Sequence, residues 1–167
     1  AIHDVDFLMW IFNQRVERVY AKVERLVHKD ITAEDYALIT LRFEKGGIAL
    51  VEANWALPKQ FPFTMKFEVD GTKGMIVSDN QSPVPVKLIT NETTAGFAPE
   101  TLPWRPAVHP FPIDPFYREL KHFVECIRED KTPMTGGEVA RKSLEVCLAA
   151  LKSAELNAPV RLPLKEE

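Results

Sequence analysis

Residues 35–57, DYALITLRFEKGGIALVEANWAL, decide the fold because two runs of alternating side chains flank one glycine pair. Apolar side chains occupy every second position in residues 35–43, and residues 48–57 repeat the pattern. Alternation with a period of two predicts strands that each have one buried face. Gly46 and Gly47 permit the backbone angles of a turn. The stretch therefore predicts an antiparallel hairpin.

Segments on both sides of this hairpin also predict strands. Residues 16–27 and 63–70 alternate apolar and polar side chains, and residues 71–74 form a glycine-containing turn. A further strand is predicted at residues 75–77. Residues 81–115 contain most of the 13 prolines, which indicates a short strand followed by a long extended excursion.

Three segments show helical periodicity instead. Residues 1–12 carry apolar side chains at helical spacing, with Asn13 as a predicted C-terminal cap. Residues 114–130 begin with an Asp-Pro pair typical of a helix start. Residues 135–138 predict a capping box for a third helix that continues to about Leu156. We expect an α+β domain: an antiparallel sheet of five or six strands with helices on one face.

The other face of the sheet is expected to be open for oligomerisation. Its side chains are too apolar for a solvated surface and too polar for a core. They are Tyr20, Tyr36, Leu38, Thr40, Arg42, Asn54 and Lys66. A two-fold axis lets such a mixed patch pack against its own copy. The pattern therefore predicts a homodimer or a higher homo-oligomer through the open sheet face.

Composition argues against several classes of partner. The 167 residues are 46% hydrophobic and 27% charged, with a formal net charge of -3, as in an ordinary globular domain. No basic field is present to bind nucleic acid or an anionic membrane. Apolar runs are too short to span a bilayer, so we expect a cytoplasmic protein. Cys126 and Cys147 occupy apolar positions of helices, which predicts buried thiols without metal or disulfide chemistry.

The first predicted helix carries an ionisable cluster. His3 and Asp6, three positions apart, lie on one helical face above a buried floor. A His in this position can donate or accept a proton near neutral pH. On the residues alone, helix caps and surface charges are the alternative. A metal site would be a second alternative, although two ligands without a third nearby are weak support for one.

The string Ile-His-Asp-Val-Asp-Phe-Leu-Met-Trp at residues 2–10 resembles a helix of the Gfo/Idh/MocA family, the relatives of glucose-fructose oxidoreductase and inositol dehydrogenase. There a pattern of the form G-x-H-x-x-D-x-x-x-W-L opens the C-terminal domain, and His3, Asp6 and Trp10 fall on it. Residues 69–74 and 116–133 also resemble family features, in the same order. The resemblance covers nearly the whole chain.

This resemblance implies an NAD(P)-dependent oxidoreductase that acts on the hydroxyl carbon of a sugar, inositol or similar polyol. It implies that His3 is the catalytic acid or base and that Asp6 contacts the substrate. Trp104, Arg105 and His109 lie in the proline-rich segment, where they could stack on a ligand, contact an anion and donate a hydrogen bond. Solvated loop positions are the alternative for these three residues.

The nucleotide site is expected outside this chain. None of the seven glycines forms a Gly-x-Gly-x-x-Gly turn between a strand and a helix, so we expect no cofactor-binding residue and no metal ligand here. The resemblance implies that NAD or NADP is bound by an N-terminal Rossmann domain absent from this chain. Residues 1–167 are then one C-terminal substrate and oligomerisation domain. A non-catalytic oligomerisation or ligand-binding module is the alternative function.

We predict that the 167-residue chain folds but does not bind nicotinamide nucleotide, because it has a complete core pattern and no turn that could cradle a phosphate. Titration calorimetry with NADH is expected to show no binding at protein concentrations of about ten micromolar. A dissociation constant in the micromolar range or below would contradict this prediction.

Overall fold

The computed structural model describes residues 1–97 and 115–165, and this part of the chain forms three helices and eight strands. The helices are α1 (Ile2–Phe12), α2 (Pro115–Glu129) and α3 (Gly137–Leu156). The strands are β1 (Val16–Glu24), β2 (Tyr36–Phe43), β3 (Ile48–Asn54), β4 (Lys66–Gly71), β5 (Gly74–Asp79), β6 (Val86–Ile89), β7 (Thr94–Phe97) and β8 (Val160–Arg161). The predicted α+β class is confirmed. No helix in these two ranges is long and apolar enough to cross a membrane.

The strands divide between two antiparallel four-stranded sheets, ordered β3-β2-β1-β8 and β4-β5-β6-β7. The chain accordingly forms two compact units: a first unit of Ala1–Lys59 with Met134–Glu167, and a second unit of Gln60–Pro133. Two sheets replace the single sheet of five or six strands that we predicted. Alternation identifies a strand without identifying its partner, and the short turn after β4 pairs β4 with β5.

The core of the first unit lies between its sheet and the helices α1 and α3. Val19 of β1 and Leu41 of β2 are fully buried on the face of the sheet that meets these helices. Val5 of α1 and Ala149 of α3 complete the same apolar cluster and are also fully buried. One face of this sheet is therefore covered by helices, as predicted, whereas α2 belongs to the second unit.

An aromatic contact fixes α1 against the hairpin of β2 and β3. The rings of Phe12 and Phe43 stack with centroids 4.1 Å apart and an interplanar angle of 9°. Gly47 has a φ of +98°, and a Cβ at this position would clash with the Phe12 ring. Glycine thus satisfies both the turn and the helix contact. Asn13 then ends α1 in the left-handed conformation, which confirms the predicted cap.

A buried serine joins α3 to the edge of the sheet. β8 has only two residues, and its pairing with β1 stops at Val160, which pairs with Val19. Next to it, the fully buried Ser153 hydroxyl accepts a hydrogen bond from the Ala21 N–H (3.0 Å) and donates one to the Ala158 carbonyl (2.7 Å). The hydroxyl therefore bridges two backbone groups that a longer β8 would pair directly.

Side-chain hydrogen bonds move two strand boundaries from their predicted positions. β1 ends at Glu24 because the Asp35 carboxylate binds the backbone N–H groups that follow it. β4 begins at Lys66, not at residue 63, because the Asn80 side chain bonds the Phe63 carbonyl and the Met65 N–H. Both side chains occupy backbone groups that a longer strand would need.

Three further predictions are corrected. Lys66 does not share a face with Tyr20 and Tyr36, because it lies in β4 of the second unit, where its amine pairs with Asp79 at 2.9 Å. β7 (Thr94–Phe97) lies within the predicted extended excursion, because it pairs with β6. The capping box at residues 135–138 is wrong, since Gly136 is the N-cap of α3 and no side chain bonds there.

Asp35 is a buried carboxylate that accepts three backbone hydrogen bonds. It is 3% exposed, and its oxygens accept hydrogen bonds from the N–H groups of Leu26, Val27 and His28 at 2.7 to 2.8 Å. These bonds, the one from His28 above all, outweigh the effect of burial and lower the pKa of Asp35 to about 2. The carboxylate thereby holds the connection between β1 and β2 in place.

We predict that Asp35→Asn destabilises the chain at neutral pH, because the amide nitrogen would face a backbone N–H. A lowered pKa stabilises the folded state above the unfolded pKa of about 3.9, and this contribution is lost as the pH falls towards the folded pKa. The difference in the free energy of unfolding between variant and wild type should therefore shrink as the pH falls from about 5 to about 2. Urea unfolding across this range measures it, with the exposed Asp30→Asn as control. A constant difference would contradict the assignment.

Candidate functional site

Helix α1 presents its polar residues on the side opposite to the core. At about 100° per residue, His3, Asp6 and Trp10 fall within an arc of about 60°, roughly opposite Val5 and Phe12. Val5 is fully buried, whereas His3 is exposed and Trp10 is 67% exposed. The rotation of the helix that buries Val5 therefore leaves His3 and Trp10 exposed and Asp6 half-buried.

Asp6 is held by a residue that is distant in sequence. Its side chain is half-buried, and Oδ1 accepts a hydrogen bond of 2.9 Å from the Ser143 hydroxyl of α3. Because the two residues are 137 positions apart, this bond depends on the packing of α1 against α3. It leaves the second carboxylate oxygen, Oδ2, without a hydrogen-bond donor among residues 1–97 and 115–165.

His3 lies one turn before Asp6 on the same face, and no hydrogen bond joins the two side chains. Its imidazole is exposed in the part of the chain that the structure describes. An imidazole can accept or donate a proton, and an ionised carboxylate accepts hydrogen bonds. The described residues contain no group of three or more His, Cys, Asp or Glu side chains that could hold a metal ion. His3 and Asp6 thus place an imidazole and a carboxylate on one turn of α1.

A cleft of about 270 Å³ opens within the first unit at the start of α1. Most of its lining is apolar, and the Cys147 thiol, whose pKa is raised by burial, belongs to it. The Asp35 carboxylate also contributes, but it is already engaged by three backbone N–H groups. The other lining residues are Ala1, Val23, Glu34, Tyr36, Ala37, Ile39, Ala53, Trp55, Ala150 and Leu151. This lining can receive an apolar group, and neither His3 nor Asp6 belongs to it.

Three of the predicted substrate contacts lie elsewhere in the chain. Trp104, Arg105 and His109 are outside the described residues, as is Asp114, the predicted cap of α2. Their role in substrate binding stays a prediction. Of the proposed substrate contacts, the structure places Asp6, and it brings Asp6 together with His3 on α1.

Ser143 was not identified from the sequence, although a signal was present. Ser143, Val146, Ala150 and Ser153 are spaced by three or four positions, and all four are buried along α3. A polar residue on a buried helical stripe needs a hydrogen-bond partner. The pattern therefore indicated that both serines have partners, but it did not indicate which residues those partners are.

Comparison with known proteins agrees with the pattern on α1. Residues 1–77, which contain α1 and the hairpin of β2 and β3, match the family described as the GFO/IDH/MocA C-terminal domain. The predicted resemblance is thus confirmed, and the exposed face of α1 lies within the matched residues.

Individual relatives match this chain over nearly its whole length. The uncharacterized oxidoreductase YrbE of Bacillus subtilis (strain 168) is 30% identical over 175 residues, covering 100% of this chain and 48% of YrbE. The scyllo-inositol 2-dehydrogenase (NAD(+)) of the same organism is 27% identical over 170 residues, covering 99% of this chain and 47% of that enzyme. The chain spans about half the length of these relatives.

A solved structure shows the same fold. An oxidoreductase from Agrobacterium radiobacter, crystallised with NAD+, L-tartaric acid and magnesium, superposes with a TM-score of 0.79. Its sequence identity is 22%, and the match covers 96% of this chain and 47% of the other. The likeness at this identity establishes the arrangement of helices and sheets.

Proposed function

We propose that this chain is the C-terminal part of an NAD(P)-dependent oxidoreductase acting on the hydroxyl carbon of a sugar, inositol or similar polyol. The placement of His3 and Asp6 together on the outward face of α1 carries this proposal. The relation to scyllo-inositol 2-dehydrogenase (NAD(+)) supports the substrate class and the cofactor. A cytoplasmic location is part of the same proposal and rests on composition.

The glycine-containing turn of the chain is not the kind that binds the phosphates of a nicotinamide nucleotide. The glycine-containing turn between β4 and β5 leads into a strand, not into a helix whose N-terminus could bind phosphate. We therefore assign the nucleotide to an N-terminal Rossmann domain of a longer protein. The chain spans 47% of the related scyllo-inositol enzyme, so a protein of that length has room for such a domain.

This chain contributes proton chemistry to the reaction. Oxidation of an alcohol removes a hydride from the carbon and a proton from the hydroxyl, and the hydride acceptor is the bound nucleotide. His3 accepts the hydroxyl proton in oxidation and returns it in reduction. Asp6 accepts a hydrogen bond from a second hydroxyl of the polyol, which orients the carbon that reacts. A sugar or polyol offers hydroxyl groups to both residues.

We also propose that the first sheet forms a homo-oligomer through the face that the helices leave open. Ile48 and Leu50 of β3 are 70% and 69% exposed there, beside Leu38 of β2. Tyr36 is half-buried on the same face, and burial, with the neighbouring Glu52 as a smaller cause, raises the pKa of its hydroxyl. Apolar side chains between polar ones are typical of a surface that packs against its own copy.

In the full-length protein, His3→Ala should lower kcat for polyol oxidation by roughly 10² to 10⁴-fold, the usual contribution of a proton acceptor. Stability should change little because His3 is exposed. Steady-state kinetics with inositol and with sugars, using NAD+ and NADP+, measure the effect. Asp4→Ala, on an adjacent side of α1, is the control and should retain most activity. If His3→Ala left kcat unchanged across the pH range, His3 would not be the catalytic acid or base.

Replacing Leu38 and Leu50 together with Glu should convert the oligomer into monomers, because like charges would meet across the two-fold axis. Interfaces of this kind bury about 1,200 Å² or more and persist at micromolar concentration. Sedimentation velocity of the 167-residue chain at about 20 micromolar tests the prediction. Glu at the exposed positions Thr72 and Thr93 is the control and should leave the oligomer intact. A monomeric wild-type chain would contradict it.

A further inference from the structure

Ser143 is the buried polar group that reaches the candidate site from outside α1. It is 2% exposed, and its hydroxyl donates a hydrogen bond to Asp6 Oδ1 at 2.9 Å. We propose that Ser143 is a positioning residue for substrate binding, acting through the Asp6 carboxylate. This inference rests on the proposed function, in which Asp6 accepts a hydrogen bond from a polyol hydroxyl.

The Ser143 hydroxyl has one hydrogen and two acceptors within reach. The Val139 carbonyl, four positions earlier in α3, lies at 3.2 Å, and Asp6 Oδ1 lies at 2.9 Å. Serine inside a helix commonly donates to the carbonyl four residues before it. An ionised carboxylate is the stronger acceptor and forms the shorter bond. The Ser143 hydroxyl therefore donates its hydrogen to Asp6. This bond links α3 to the face of α1 that carries His3.

Holding one oxygen of Asp6 also orients the other. A half-buried Asp side chain can rotate about two bonds, and the bond to Oδ1 restricts both rotations. Oδ2, which receives no hydrogen bond from the described residues, is then the oxygen that accepts from the substrate. An ionised carboxylate only accepts hydrogen bonds, which makes a hydroxyl-bearing substrate a suitable partner. Functional groups held by a buried neighbour keep the geometry that binding requires.

Packing alone would not require a hydroxyl at this position. Residue 143 lies on the buried stripe of α3 with Val146 and Ala150, both apolar. An apolar residue at such a place can serve packing as well as a hydrogen-bonded polar residue does. A buried serine that donates to a carboxylate beside the candidate catalytic His3 is best explained by its effect on that carboxylate.

The test is steady-state kinetics of the full-length enzyme with a polyol substrate that the wild type oxidises. Ser143→Ala should raise KM roughly tenfold, the value of one hydrogen bond to a charged, partly exposed group, and leave kcat within about twofold. Ser143→Thr keeps the hydroxyl and should restore KM. Ser153→Ala is the matched control. Ser153 is a buried serine of the same helix that bonds Ala21 and Ala158, so its replacement removes comparable hydrogen bonds without changing a contact of Asp6.

A double-mutant cycle separates an effect through Asp6 from a general loss of structure. In an Asp6→Ala background, where residue 6 has no oxygen to accept from the Ser143 hydroxyl, Ser143→Ala should raise KM no further. Three outcomes would each overturn the inference: effects of the two substitutions on KM that multiply, an unchanged KM in Ser143→Ala, or an equal rise of KM in Ser153→Ala. In each case the activity of the wild type leaves the proposed function standing. A wild-type enzyme that oxidises no sugar or polyol would overturn both. Should Ser143→Ala not fold, Ser143→Cys, with similar volume and a weaker donor, gives the same comparison.

Discussion

The contact between Phe12 and Phe43 is the constraint on which the candidate site depends. It fixes the end of α1 on the hairpin of β2 and β3, and Gly47 leaves the space that the Phe12 ring occupies. With that end fixed and Val5 buried, the helix can rotate very little. His3 is then exposed, and Asp6 lies one turn later, half-buried against Ser143 of α3. One side of this short helix thus packs in the core, and another side carries the candidate site residues.

Local periodicity predicted most of the elements but not their arrangement. The alternation in residues 35–57 identified β2 and β3 because adjacent strands joined by a glycine turn pair with each other. The same alternation in β4 carried no information about its partner, so its sheet was assigned wrongly. Strand ends were missed where a side chain, Asp35 or Asn80, replaces a backbone partner. Such bonds depend on three-dimensional contacts that a period of two does not encode.

Some residues of the candidate site could be predicted from the sequence and others could not, for the same reason. His3 and Asp6 could be predicted because they lie on one turn of one helix, where spacing in sequence is spacing in space. Ser143 could not, since 137 residues separate it from Asp6 and only the packing of α1 on α3 brings them together. The importance of Asp35 was missed for a similar reason. Its three donors lie seven to nine positions earlier, in a connection without periodicity.

The first unit is discontinuous in the chain, and this has a consequence for its folding. β1 pairs with β8 across the residues between them, and Ala21 bonds Ser153 at a separation of 132 positions. Closing so long a loop has an entropic cost that only the final contacts repay. On the ribosome, the residues of the second unit are therefore made before helix α3 and strand β8 of the first unit. The core of residues 1–59 can close only after residues 134–167 have been made.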